Sequence, residues 1–273
     1  MEYVLTAENL GKQYRHSKAL QGFTMHIPKG SIYGFVGRNG AGKTTLIRII
    51  CGLQEPTEGG FTLYGVENSD SSIVQVRQRM GAVVETPAIY LDMTAEDNLK
   101  QQYRILGLPS FDSIPELLKL VGLESTGKKK AKKFSLGMKQ RLGIAIALAG
   151  NPDFLVLDEP TNGLDPQGIV DVRNLVKRLN EEFGMTVIVS SHILSELQNT
   201  ATRFGIVNNG MVAREITTED LESMERAVRI NVDDLDRARE ALDAAGVKVL
   251  DVQHESNSLE AFYFNLVGGN DHA

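Results

Sequence analysis

Three short apolar runs, SIYGFVG at 31–37, FLVLD at 154–158 and MTVIVSS at 185–191, alternate along the chain with longer segments of helical period. Such a pattern predicts an α/β fold whose strands are covered on both faces, with a mostly parallel sheet. Near the start, VLTAENL, ALQGFTMHI and GFTLYG alternate apolar with polar positions, and the turn-rich EPTEGG supplies a hairpin-type break. A second, antiparallel sheet beside the first is predicted from that alternation.

Between about 90 and 150 the strand signal disappears. TAEDNLKQQYRIL opens with a capping-box pattern, Thr94 followed three residues later by Asp97, and LGMKQRLGIAIALAG keeps helical spacing up to its closing glycine. This stretch is a helical insert. After about residue 218, RAVRINVD, DLDRAREALDAAG, VKVLDV and LEAFYFNLV predict a small β-α-β-β appendage. The predicted division is therefore 1–218, with the core and antiparallel subdomain in 1–89 and 151–218 around the insert 90–150, followed by an α+β appendage at 219–273.

With 273 residues and 42% hydrophobic content, the chain can bury a real core, and disorder is excluded as a reading. A net charge of −6 and a pI near 5.5 argue against a surface built to neutralise nucleic-acid phosphates. The single cysteine, Cys51 in LIRIICGL, reads as a buried, inert thiol in a reducing compartment. MEYVLTAENL lacks the basic-then-apolar block of a secretory signal. Apolar stretches such as IAIALA at 144–149 fall far short of the ~20 residues that a membrane span requires. The lysine run KKKAKK at 128–133 reads as a solvated segment, with membrane-surface or partner binding as the alternative.

GRNGAGKT at 37–44 satisfies the phosphate-loop pattern G-x-x-x-x-G-K-[ST] between the strand SIYGFV and the helical TTLIRIICGL. Gly37, Asn39, Gly40, Ala41 and Gly42 would wrap the backbone so that its N–H groups point at phosphate oxygens, and the helix adds its positive end. Lys43 would reach the β- and γ-phosphates of ATP, the Thr44 hydroxyl would bind Mg²⁺, and Thr45 completes the phosphate-binding set. FLVLDEP at 154–160 finishes an apolar strand in two acids, which a buried strand tolerates when a cation sits at its tip. Asp158 fits as a Mg²⁺ ligand through water. Glu159 could accept a proton from water attacking the γ-phosphate, a solvated turn being the alternative. TVIVSSH ends at His192, either a γ-phosphate sensor or an ordinary cap or surface group. VVETPAIY at 83–90 ends an apolar run in Glu85, whose charge must face solvent or meet a positive group.

GRNGAGKTT, FSLGMKQRL, FLVLDEP, NGLDP and the His192 strand resemble, in order and spacing, the ATPase subunits of ABC transporters over roughly residues 1–218. FSLGMKQRL at 134–142 is similar to the signature that separates this family from other phosphate-loop NTPases. The resemblance implies a phosphate-loop NTPase core and a head-to-tail dimer of two identical chains, with two ATPs between them, each held by the phosphate loop of one subunit and the signature of the other. Ser135 and the Gly137 backbone would then touch the partner's γ-phosphate, Tyr14 would stack on adenine, and Asp165 in NGLDP would link the two sites. The signature departs from the usual pattern, with Leu136 in place of a glycine and Gly-Met at 137–138. Glu85 stands where most of the family has a glutamine that contacts Mg²⁺ and the attacking water, so the resemblance makes it a metal ligand; exposure to solvent is the alternative.

Glutamate followed by TPAIY, the sequence FSLGMKQRL and the tail LEAFYFNLVGG further resemble the subgroup serving bacitracin and lantibiotic self-protection exporters. That subgroup implies a subunit at the cytoplasmic face of the cell membrane, touching the membrane only through a transmembrane permease and binding no nucleic acid. A soluble non-transport ABC ATPase and a nucleotide-gated regulatory module are the alternative readings.

Overall fold

The computed structural model describes residues 2–223 and 235–245. The chain divides into two compact units, Met1–Thr218 and Glu219–Ala273. In the first, β1 (Tyr3–Tyr14) and β2 (Ser17–Pro28) form a long hairpin, followed by β3 (Ile32–Val36), α1 (Lys43–Ile50), β4 (Glu58–Leu63), β5 (Val66–Glu67), α2 (Ile73–Val76) and β6 (Met80–Val83). The helical segment holds α3 (Ala95–Ile105), α4 (Ile114–Leu120) and α5 (Leu136–Leu148). The chain then returns to the core as β7 (Phe154–Leu157), α6 (Pro166–Phe183), β8 (Thr186–Ser191), α7 (Leu194–Gln198), β9 (Arg203–Asn208) and β10 (Met211–Thr217).

Two sheets result, as the two kinds of patterning predict. The antiparallel sheet has the order β2-β1-β4-β5. The second has the order β10-β9-β3-β8-β7-β6, parallel from β9 to β6 with antiparallel β10 at its edge. All residues of β3, β7 and β8 are buried, as strands covered on both faces must be. The two sheets share one core around α1: Phe23 and Met25 from β2 meet Phe35, Ile47, Phe154 and Ile188, with the Phe23 and Phe35 rings edge to face at 5.8 Å.

Local chemistry accounts for the helices that carry functional residues. Thr94 and Asp97 form the reciprocal capping box at the start of α3. Asp165 caps α6 by accepting the Gly168 N–H at 3.0 Å, and the buried stripe Val172, Leu175, Val176 and Leu179 follows the i, i+3, i+4, i+7 spacing of an amphipathic helix. Among the described residues the second unit contains α8 (Thr218–Ser223), which begins at its boundary, and α9 (Leu235–Ala244), which covers most of the predicted helix. The strands predicted in RAVRINVD, VKVLDV and LEAFYFNLV, and the tail LEAFYFNLVGG, lie outside the described residues.

Candidate active site

In a parallel sheet the loops that follow the strands gather at one edge, and this is where such folds bind ligands. Here that edge carries the loop Gly37–Gly42 after β3, His192 after β8, Asp158 and Glu159 after β7, and Glu85 beyond β6, on strands adjacent in that order. The sheet itself thus brings together residues spread over more than a hundred positions of sequence.

The loop after β3 closes through Gly40 and Gly42, both in the left-handed region at φ 83° and 107°. At Gly42 a side chain is excluded twice over, because a Cβ there would lie 2.6 Å from the Ala19 carbonyl oxygen. Gly42 is also the N-cap of α1 and brings no side-chain acceptor, so the first N–H groups of the helix are left to an external anion. Lys43 opens that helix and folds back, its ammonium donating to the Gly37 carbonyl at 2.5 Å and the Arg38 carbonyl at 3.3 Å. Thr44 and Thr45 follow in the first turn.

Lys43 and Asp158 are the only charged side chains that are buried among the described residues, and both are in this site. Since burying a charge is costly, their position calls for partners. Lys43 finds one in Glu159, at 3.2 Å between Nζ and Oε1. The other oxygen of Glu159 lies 2.6 Å from His192 Nδ1, so this carboxylate joins the loop lysine to the histidine. Ser190, buried at the end of β8, donates its hydroxyl proton to Asp158 Oδ1 at 2.7 Å and accepts the Glu159 N–H at 2.8 Å. Sequence reasoning did not single out Ser190; the signal is two hydroxyls ending an otherwise apolar strand, which need partners once buried.

Asp158 Oδ2 is buried and has no hydrogen-bond partner. An orphaned carboxylate oxygen two strands from a phosphate loop is the chemistry a hard cation takes, so these residues fit Mg²⁺. No group of three or more His, Cys, Asp or Glu side chains is gathered for a metal among the described residues.

Glu85 departs from the sequence expectation in local structure. The strand ends at Val83, two residues early, and Glu85 follows it at φ 59°, half exposed in a loop. The positive group that meets it in this structure is the Arg48 guanidinium of α1, at 2.7 Å. The remaining predicted residues lie further out. Ser135 caps α5 by accepting the Met138 N–H at 3.2 Å, and a Cβ on Gly137 would have nothing nearer than 3.9 Å, so no steric demand within this chain requires glycine there. Leu136 between them is exposed, and Tyr14 is partly exposed at the tip of the β1–β2 hairpin with its hydroxyl donating to Gln54.

A strand, phosphate loop and helix with an acid-tipped strand two places along the same sheet define an NTPase of the α/β class, and the sequence comparisons narrow that class. The chain belongs to the ABC transporter family, which it matches over residues 20–162, and it is one of the family's ATP-binding, ATP-hydrolysing cassettes. It is 43% identical over 226 residues to the bacitracin transport ATP-binding protein BcrA of Bacillus licheniformis, covering 83% of this chain and 74% of that protein. It is 41% identical over 222 residues to the lantibiotic transport ATP-binding protein SrtF of Streptococcus pyogenes, covering 81% of this chain and 94% of that one. Among solved structures it is similar to the ATP-binding cassette MJ0796 in a dimeric post-hydrolysis state bound to ADP and Pi. That likeness has a TM-score of 0.70 at 28% identity and covers 78% of this chain and 98% of that one.

Proposed function

We propose that this cassette energises export of a peptide antibiotic or similar amphipathic compound, closing as a dimer on a separate transmembrane permease at the cytoplasmic face of the membrane. The observation that carries the catalytic part is the Lys43–Glu159–His192 chain of contacts beside the orphaned Asp158 oxygen. In this arrangement Glu159 is the base that takes a proton from the water attacking the γ-phosphate, leaving ADP and phosphate. Lys43 exchanges its loop carbonyls for the β- and γ-phosphates. His192 meets Glu159 through Nδ1, and donating from Nε2 to a phosphate oxygen at the same time would take the ring with a proton on both nitrogens. Bound Mg²⁺ would neutralise charge on the phosphates, held by Thr44, by Asp158 through water, and by Glu85.

The dimer contacts are proposed on the same footing. Ser135 and Gly137 reach the γ-phosphate bound by the partner subunit, Asp165 connects the two sites, and Tyr14 stacks on adenine. The lack of any steric demand for glycine at Gly137 supports the first of these, because a helix N-terminus with bare backbone can be approached by another molecule. The antibiotic class rests on the similarity to bacitracin and lantibiotic transport ATP-binding proteins and on Glu85. The separate permease is proposed from the relatives, which are ATP-binding proteins of transport systems; no helix among the described residues is long and apolar enough to cross a membrane. The test is purification of the tagged chain from gently solubilised membranes with identification of stoichiometric companions. A multi-span hydrophobic protein is the expected companion, and a soluble one alone would overturn the transporter reading.

A further inference from the structure

The sequence gives Arg48 no role, yet it makes the only ion pair recorded for Glu85 among the described residues. Three features fix that pair. Arg48 lies four residues after Thr44 on α1, so the two occupy the same helix face about one turn, or roughly 6 Å, apart. The positive φ of Glu85, a region costly for glutamate, sets where its side chain leaves the backbone. Beyond Glu85 the loop is tied down. Pro87 sits so close to α5 that a Cβ on Gly143 would lie 2.5 Å from its Cβ, and the Asn98 amide accepts from and donates to the backbone of Tyr90.

We propose that Arg48 is a positioning residue that holds the Glu85 carboxylate one helical turn below the metal-binding end of α1, and that Arg48 and the divalent cation compete for that carboxylate. The proposal rests on the reading of Glu85 as a metal ligand. With Pro87 and Tyr90 anchored, the exchange needs only a swing of the Glu85 side chain and its adjoining backbone. The pair is suited to being exchanged: its side chains are 35% and 54% exposed, and ion pairs so open to water are weak enough for a divalent cation to displace. Arg48 therefore sets how much metal is needed before the site is complete, without touching substrate.

The experiment is a Mn²⁺ titration read by electron paramagnetic resonance, with the full chain saturated in a non-hydrolysable ATP analogue. Arg48→Gln is expected to tighten Mn²⁺ binding about two- to fivefold, the range that release of an exposed ion pair allows. Arg48→Lys, which keeps the charge, should stay near the parent. In a Glu85→Gln background, Arg48→Gln should change nothing. Unchanged affinity in Arg48→Gln, or equal tightening with and without Glu85, would overturn the proposal, the latter because it marks general charge repulsion. If Glu85→Gln alone leaves Mn²⁺ affinity unaltered, the metal role of Glu85 falls and this proposal with it. If Glu85→Gln weakens binding while Arg48→Gln has no effect, only the role of Arg48 falls.

Discussion

Two of the six non-glycine residues with positive φ among the described residues are glutamates, Glu85 and Glu159, and both lie in the candidate site. Three of the others are asparagines, which tolerate that region; for glutamate it costs on the order of 1 kcal/mol or more. Strain kept at two acids on one edge of the sheet is the kind that function retains. Cys51 illustrates the opposite case. It is only half-buried, but desolvation pushes its thiol up to about 12, so the inert thiol read from its apolar surroundings has a physical cause. At pH 8 the native protein should react with a thiol reagent on the order of a thousandfold more slowly than the unfolded chain. Labelling within minutes in native buffer would contradict this. Motif spacing made Lys43, Asp158, Glu159 and His192 legible as individual residues. Ser190 and Arg48 were not, because their importance lies in partners that are 32 and 37 positions away and meet them only once the sheet is formed.

At the scale of elements, the clearest local signal was the Thr94–Asp97 box, and its energetics can be measured. Thr94→Ala should cost about 1 kcal/mol of unfolding free energy at pH 7 in a urea titration. Hydrogen bonds from the Thr94 hydroxyl and N–H hold the Asp97 carboxyl below its ordinary value. A carboxylate depressed in the folded state stabilises fully above its unfolded value and loses that contribution as pH falls through its folded one. The difference between parent and variant should therefore shrink below about pH 4; a difference that grew with acid would show that the cap is not the cause. Buried strands and helices with strong periodicity were read in the right places. The boundary at Glu85 was not, since two apolar residues before a charge look alike whether the strand continues or turns away. Strands β9 and β10 carry little sequence signal because FGIV is short and interrupted by glycine, and only pairing with β3 makes β9 a buried strand.

For the whole molecule, the two sheets and the helical segment place the phosphate loop, Asp158, Glu159 and His192 on one sheet edge and put Ser135 and Gly137 at the start of α5. A glycine with no steric reason inside its own chain makes sense if another subunit approaches it. Closure would then be a population shift driven by ATP contacts from both chains, and hydrolysis would reverse it. The account turns on Glu159 as the base, which light scattering after size-exclusion chromatography tests together with phosphate release. Glu159→Gln keeps the shape of the side chain and a donor and acceptor for Lys43 and His192 contacts while removing the proton acceptor. With ATP it should run as a stable dimer with turnover reduced at least a hundredfold, in line with the usual contribution of general-base catalysis, whereas a monomer that hydrolyses ATP at the parent rate would contradict the role assigned to Glu159.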